Sequence, residues 1–422
     1  MFIEYRFLQY ADVRRFMRHT DIAIVGGGIA GSMAAAMLGR AGWDVVLIDP
    51  HSVYPPDFRC EKLDPGKMEA FEKTGLAEQA LRVATTDGGI WIARRGRVLE
   101  RRPNRQYGFY YETLVNAVRS LIPGRIESVA AKATAIATGP ERQTVTLSNG
   151  GEISARLVVL ANGLNPGFVK KLGLDRQVIS ANHSVTIGFD AKPTDRAAFP
   201  FPALTYYAER PSDSMAYITL FPIGTTMRAN LFAYRDLHDP WLKQFRDAPQ
   251  ETLYALWPGL RKLMGDFTVT DFVKIRPADL YVTQGYQQDG IVLVGDAFAT
   301  SCPAAGTGVR RVLVDVERLC NVHIPQWLAT PGMGAAKIAS FYADEIKVAN
   351  DVYCVTKAFQ LRSLSTDTSL PWVAQRWARF VLHAAKGALR SVTAPVPSSY
   401  NGVEEDAQEE ARTWVRSTSA QG

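Results

Sequence analysis

The sequence predicts an α/β fold: a mostly parallel sheet, an inserted antiparallel sheet, and C-terminal helices. Three observations predict it. A short apolar run ending at Val25 breaks into Gly26-Gly27-Gly28 and then a small-residue helix. Between about Ile179 and Leu280 the pattern turns to strand-like segments separated by turn residues. A second buried strand, Ile291 to Val294, then returns and leads into Gly295-Asp296-Ala297.

The first of these fixes the rest. Gly26, Gly28 and Gly31 fill a G-x-G-x-x-G pattern. Gly26 lets the strand turn sharply, and Gly28, without a Cβ, lets a pyrophosphate approach the backbone. Gly31 lets the helix lie close to the strand. Ile29 and Ala30 complete the candidate phosphate loop, and a helix over Ser32–Ala41 aims its free N–H groups and positive dipole end at the phosphates. A second strand, Trp43 to Ile48, ends in Asp49. That acid stands about 20 residues past the turn, where a carboxylate bonds ribose hydroxyls and repels a 2′-phosphate. A glycine-rich turn alone is a weak signal; here strand, helix and acid are all in place. The reading is a Rossmann-type domain for FAD or NAD rather than NADP.

A chain of 422 residues allows two or three domains and a full core. It is 47% hydrophobic and 21% charged, with no apolar run long enough to span a membrane. Met1 to His19 lacks a secretory core and reads as a short helix on the domain, or as a leader ahead of a start at Met17. The net charge is +6 and the pI about 9.0. The basic clusters are small (Arg94-Arg95, Arg101-Arg102, Arg310-Arg311), which argues against nucleic acid and for mild attraction of anionic cofactors. Cys60, Cys302, Cys320 and Cys354 are scattered with no CxxC pair, so neither a metal site nor a disulfide framework is expected. A reducing cytoplasm suits that usage.

In order along the chain, Pro55 to Leu63 reads as a loop, Lys67–Thr74 as a helix capped by Gly75, and Ile90 to Leu99 as a hairpin. Tyr107–Ser120 reads as an amphipathic helix, Ile126 to Asn149 as short strands, and Leu157–Leu160 as a buried strand ending at Asn162-Gly163. In the antiparallel stretch, Ser184–Phe189, Ala216–Leu220 and Arg228–Phe232 are strands and Glu251–Met264 is one helix. After Gly306-Thr307-Gly308 the chain is mostly helical to about Val392, and from Pro395 its composition reads as disordered. The division is a nucleotide domain over 20–85, 107–178 and 281–350, a substrate sheet over 86–106 and 179–280, and a helical segment over 351–394. A 1–19 extension and a 395–422 tail flank them.

Two further stretches occur with the glycine turn. One is Phe58-Arg59-Cys60-Glu61-Lys62, ahead of a helix ending in Thr74-Gly75-Leu76. The other is Gly295-Asp296-Ala297 followed by Cys302-Pro303-Ala304-Ala305-Gly306-Thr307-Gly308. Together they resemble the single-component FAD monooxygenases of the p-hydroxybenzoate hydroxylase type, over roughly Asp21 to Leu319. The resemblance implies that Gly26, Gly28, Gly31 and Asp49 hold the ADP half of FAD. It implies that Arg59 reaches the cofactor near the flavin or its pyrophosphate, that Asp296 bonds ribityl or ribose hydroxyls, and that Pro303 lies beside the isoalloxazine ring. A physical argument stands beside it. Gly306, Thr307 and Gly308 precede a helix whose free N–H groups can face the flavin N1 and C2 oxygen, where a helix N-terminus stabilises negative charge by up to about 2 kcal/mol. The implied activity is insertion of one oxygen atom from O2 into an aromatic or other electron-rich small molecule, through a flavin C4a-hydroperoxide, with NAD(P)H as electron donor. No catalytic acid or base stands out.

The chain departs from the family where an Asp-Gly loop and a nearby arginine serve FAD and NAD(P)H. Here the run is Asn162-Gly163-Leu164-Asn165-Pro166, with Lys170 beyond it. Lysine is a point charge and not a fork. Arg59 is then the guanidinium left for a nicotinamide phosphate, and a separate reductase is the alternative partner. A reductase of a lipid-like prenyl substrate is the second activity. A flavin halogenase is the third, weakened because no Trp-x-Trp-x-Ile-Pro motif occurs. Cys302 reads as a packing residue and His323 as a structural one. Of Tyr206, Tyr207, Tyr217, Phe221, Phe232 and Tyr234, about half are expected to face a cavity. The stretch with Trp372, Arg376, Trp377, Arg379, Phe380 and Lys386 is amphipathic and basic; it packs on the domain or, alternatively, lies on a membrane surface.

Overall fold

The computed structural model describes residues 17–103 and 106–392. The segment before Met17 and the tail after Val392, where the sequence suggests a leader and a disordered stretch, lie outside the described residues.

The members of the first sheet are β1 (Met17–Val25), β2 (Val45–Asp49), β8 (Glu127–Ala130), β9 (Ala133–Ala137), β10 (Gln143–Leu147), β11 (Glu152–Leu160) and β18 (Ile291–Leu293). Apolar runs with no alternation build its centre, at β1, β2, β11 and β18, as expected for strands buried on both faces. The order is β8-β2-β1-β11-β10-β9, with β18 paired on β11. Strand β1 runs parallel to β2 and β11, and Val25 stands level with Ile48 and Leu160; Leu160 stands level with Leu293. Gly26, Asp49, Gly163 and Gly295 therefore emerge at one carboxyl edge, the place where open α/β sheets bind ligands. Helices α1 (Ile29–Arg40), α4 (Tyr111–Arg119) and α8 (Gly308–Arg318) pack around this core, α1 through the fully buried Met33–Ala36. Between them lie α2 (Pro65–Glu72), α3 (Ala77–Ala80) and a small sheet of β3 (Lys62–Leu63), β4 (Thr85–Thr86) and β7 (Tyr107–Gly108).

The second sheet comprises β5 (Ile90–Arg94), β6 (Arg97–Arg102), β12 (Asp175–Pro193), β13 (Leu204–Tyr207), β14 (Met215–Ile223), β15 (Thr226–Ala233), β16 (Phe267–Val269) and β17 (Lys274–Gln284). Its order is β16-β12-β15-β14-β13-β5-β6, with β17 on β12; the β13–β5 pair is parallel and the others antiparallel. Period-two alternation gives it two unlike faces. The back face, with Val185, Ile187, Phe189, Ile218 and Leu231, is packed under α5 (Pro240–Asp247), α6 (Pro249–Leu256) and α7 (Pro258–Met264). The front face bears Thr186, Tyr217, Thr219, Asn230 and Phe232, and it is turned toward the loop before α8 and toward α11 (Glu345–Thr366). Of the other C-terminal helices, α9 (Ile324–Leu328) and α10 (Ala335–Tyr342) pack on the core of the first sheet and α12 (Leu370–Val392) on β6.

Several boundaries differ from the sequence expectation, each for a local reason. Strand β1 begins at Met17, inside the stretch read as an extension, because Met17–Thr20 pair with Glu152–Ala155. Helix α4 starts at Tyr111, since Tyr107 and Gly108 are used as a strand. The single helix expected over Glu251–Met264 is divided, and Pro240, Pro249 and Pro258 each open a separate short helix, where a missing N–H costs nothing. Helix α2 starts at Pro65 for the same reason.

Candidate cofactor and substrate site

At the nucleotide end, the glycines do what their spacing implies. Gly26 has φ +106°, and a Cβ there would stand 2.5 Å from the Ala161 carbonyl oxygen. A Cβ on Gly31 would stand 1.8 Å from the Gly26 oxygen. Around Gly28 the nearest atom to such a Cβ, 3.8 Å away, is the Tyr111 hydroxyl, so the backbone at the start of α1 faces open space. The Tyr111 hydroxyl also accepts from the Ile29 N–H at 3.4 Å, beside the buried Ala30. Asp49 Oδ2 accepts from the Gly27 N–H at 2.7 Å, and Oδ1 accepts from the His51 N–H at 2.9 Å. Arg119 Nη2 lies 3.2 Å from Asp49 Oδ1, while its Nε donates to the Gly27 carbonyl at 3.0 Å. Asp49 therefore clamps the glycine loop. Arg119 and Tyr111 escape sequence reasoning: both come from α4, far along the chain, and only its register brings them here.

The middle of the site joins residues that are remote in sequence. Arg59 Nη1 lies 2.9 Å from Asp296 Oδ2, and Nε lies 2.6 Å from Asp57 Oδ2. A Cβ on Gly163 would be 3.9 Å from Arg59 Nη2. Arg276 holds the other Asp57 oxygen at 2.7 Å, and the Tyr281 hydroxyl donates to the Asp296 carbonyl at 2.8 Å. Burial alone would raise the Asp57 carboxyl, but the Arg59 and Arg276 guanidiniums outweigh it and hold it below its usual range. Either fork of Arg59 contains a nitrogen already engaged, so a bidentate grip on a nicotinamide phosphate is not the arrangement found.

The loop from Cys302 to Gly308 forms the inner end. Cys302 is buried, its Sγ 3.6 Å from Ser184 Oγ, and burial pushes its thiol up, as befits a packing residue. Pro303 follows it half-buried, and the Tyr217 hydroxyl donates to the Ala304 carbonyl. Gly306 has φ +66°, with Lys67 Nζ 3.8 Å from where its Cβ would be. Thr307 precedes α8, and its Oγ1, like Ser301 Oγ, is buried without a hydrogen-bond partner among the described residues. The Gly295 turn is fixed to α8 from behind: the Gly295 N–H donates to Asp315 Oδ2 at 3.0 Å, and the buried Lys347 binds Asp315 Oδ1 at 2.9 Å. His323 sits 3.0 Å from Asp344, away from this loop and in a structural role.

Facing the loop is the front of the second sheet. Rings run in a row: Tyr207 to Tyr217 at 5.9 Å, Tyr217 to Phe232 at 4.9 Å. Thr186 Oγ1, Asn230 Oδ1 and the Tyr234 hydroxyl are buried there without partners among the described residues. Tyr206 is turned the other way, against Trp257 in the back core. Below the row, Arg228 is fully buried and ties the sheet to the Arg59 loop. It holds Glu61 through both Nε at 2.7 Å and Nη2 at 2.8 Å, and Asp190 at 3.1 Å.

The open backbone at Gly28 and the orphaned hydroxyls of Ser301 and Thr307 fit a dinucleotide stretched from the α1 turn to the α8 turn. A family model described as FAD binding domain matches residues 19–322. The chain belongs to this family. The matched range spans both sheets and α8. Aklavinone 12-hydroxylase DnrF of Streptomyces peucetius subsp. caesius is 27% identical over 330 residues, 68% of this chain and 64% of that protein. The chain thus spans just under two thirds of that relative's length. Menaquinone reductase of Mycobacterium tuberculosis is 30% identical over 178 residues, 36% of this chain and 40% of that protein. Among solved structures, p-nitrophenol 4-monooxygenase PnpA from Pseudomonas putida DLL-E4 shares the fold, with a TM-score of 0.70 at 16% identity over 88% of this chain and 95% of that one.

Proposed function

We propose that this chain is an FAD-dependent monooxygenase acting on an aromatic or other electron-rich small molecule. One observation carries the reading: the Pro303–Gly308 loop and the aromatic front face of the second sheet oppose each other, joined by the Tyr217–Ala304 hydrogen bond. FAD bound between the α1 and α8 turns supplies the redox and oxygen chemistry. The chain's own part is to seat the ADP half on Gly26–Gly31 and Asp49, and to present the positive end of α8 to negative charge. Tyr207, Tyr217 and Phe232 exclude water, and the unpartnered groups of Thr186, Asn230 and Tyr234 orient a hydroxylated aromatic substrate by hydrogen bonds. The names of DnrF, a hydroxylase, and PnpA, a monooxygenase, support the reading.

NAD(P)H is the electron donor in this reading. With Arg59 engaged by two carboxylates and Asn162 in place of an acid, reduction by nicotinamide alone is slow; substrate or a separate reductase accelerates it. The test supplies NADH or NADPH, 18O2 and a panel of phenols and hydroxyquinones. One labelled oxygen in a product, with matched consumption of nicotinamide and O2, is the expected result. Nicotinamide oxidation that yields no labelled product with any of them, while a prenylated naphthoquinone is reduced, would replace it with the second reading, a quinone reductase. The partial match to menaquinone reductase favours that alternative.

A further inference from the structure

Helix α12 is inverted for a helix at a water-facing surface. Its polar side chains turn inward. Arg376 is buried and donates to the Leu364 carbonyl at 2.8 Å and the Asp367 carbonyl at 2.6 Å. His383 is buried, its Nδ1 2.9 Å from Glu100 Oε2, and Arg379 donates to the Tyr207 hydroxyl at 2.9 Å. Gly387 lets the helix lie on β6: a Cβ there would stand 2.1 Å from the Leu99 carbonyl oxygen. The basic charge in α12 is thus largely spent on the protein, which removes the electrostatic reason, read from sequence, for placing its polar face on a membrane.

The outward face supplies a different reason. From residue 370 to 385 the exposed side chains are all apolar apart from Gln375. Leu370 is 83% exposed, Trp377 51%, Val381 63% and Leu382 52%. Scattered exposed apolar residues are ordinary, but a contiguous helical face of them marks an interaction surface. Arg95 and Arg97, exposed on the hairpin that packs beside α12, put positive charge at its rim, with the Arg95 guanidinium 5.7 Å from the Trp377 ring. No acidic residue occurs in α12. A second copy docked face to face would bring these arginines together, since a two-fold contact pairs a patch with itself.

We infer that the outer face of α12 rests on an anionic lipid surface, with Trp377 and Val381 at the boundary of headgroups and acyl chains and Arg95 at the headgroups. Apolar side chains on one face, an aromatic at the interface and a basic rim are what such a surface binds. The helix lies on the bilayer without spanning it; among the described residues no helix is long and apolar enough to cross a membrane. Phe380, buried on the inner side of α12, stands 5.6 Å from Tyr207, so the helix that bears the outer face also packs on the aromatic row. The docking itself does not depend on which reaction that site performs.

The experiment sediments the full FAD-loaded chain with vesicles of phosphatidylcholine alone, or of phosphatidylcholine with phosphatidylglycerol. Binding to the anionic vesicles, weakened by salt, is expected. Trp377→Glu with Val381→Glu should lower it at least about tenfold, because both side chains lose their place among the acyl chains. FAD affinity and circular dichroism should stay unchanged, since both residues are exposed. If the double glutamate variant fails to fold, Trp377→Ser with Val381→Ser must show the same direction of loss. No binding to anionic vesicles at low salt overturns the proposal, as does equal binding by the variants. A dimer seen by light scattering that the variants dissociate, with no vesicle binding, assigns the face to a second copy and also overturns it.

Discussion

Arg228→Met tests how the second sheet is fastened to the cofactor loop. Arg228 has no exposed surface and holds Glu61 by two hydrogen bonds and Asp190 by a third. The Glu61 side chain is itself only 2% exposed, and burial pushes its carboxyl up while Arg228 pulls it back. Removing the guanidinium leaves a buried carboxylate with only the Asn230 hydrogen bond and the more distant Lys274 charge to offset its desolvation. Breaking a buried pair in this way costs about 3–5 kcal/mol. Part of the loss is recovered when Glu61 takes a proton. Its folded pKa, already raised, then lies further above the unfolded value, so the neutral form stabilises the fold at low pH and the deficit grows as pH rises. The variant should therefore be less impaired near pH 5 than near pH 8. Adding Glu61→Gln should return about half of the loss, because the unpaired charge is gone. Urea unfolding of the FAD-loaded protein, followed by flavin fluorescence and circular dichroism, measures all of this. A loss under about 1 kcal/mol, or one that Glu61→Gln leaves undiminished, would refute the reasoning.

Two further outcomes follow from named contacts. Asp49→Asn keeps the shape but removes the charge that binds Arg119 and the ribose position. FAD should dissociate about ten- to a hundredfold more readily, matching the loss of a charge-assisted hydrogen bond, and quenching titration would expose an unchanged affinity. Asp344 resists its own desolvation through hydrogen bonds from Arg318 and His323, which hold its carboxyl at about 2 against an ordinary 3.8. Because the folded value is depressed, this stabilisation is complete above the unfolded pKa and is lost as pH falls from about 4 to about 2. Asp344→Asn should erase that acid-sensitive increment, and parallel acid-unfolding curves would count against it.

The nucleotide end was legible because its signals are local. Glycine spacing, unbroken apolar strands and an acid at a set distance all act within one βαβ unit, so Gly26, Gly31 and Asp49 could be placed from the sequence. The alternation of the second sheet was also legible, though not which of its faces the cofactor loop would meet; Tyr206 and Tyr207 are neighbours that point opposite ways. Side chains that reach the site from a distant register were not legible. Arg119 and Tyr111 depend on where α4 begins, and Tyr107 and Gly108 altered that start by pairing as a strand. Arg228 looked like any strand arginine until β12 and β15 set it between Glu61 and Asp190. In α12 the sequence showed an amphipathic helix but not the sense of its inversion. That is settled by Glu100, Leu364 and Tyr207, which lie outside the helix.

Strand β12 has a mechanical consequence. Its first residues, Asp175–Val178, pair with the end of β17 beside the nucleotide domain, and its last, Val185–Ala191, form the middle of the second sheet. The two strands stay paired across the junction, with bulges between Val178 and Ser184, and Asn182 there takes φ +45°. Bulges bend a ribbon and steepen its twist without cutting it. The two domains thus share a curved two-stranded beam in place of a flexible linker. A beam of this kind resists the swinging apart of domains that a single loop would permit.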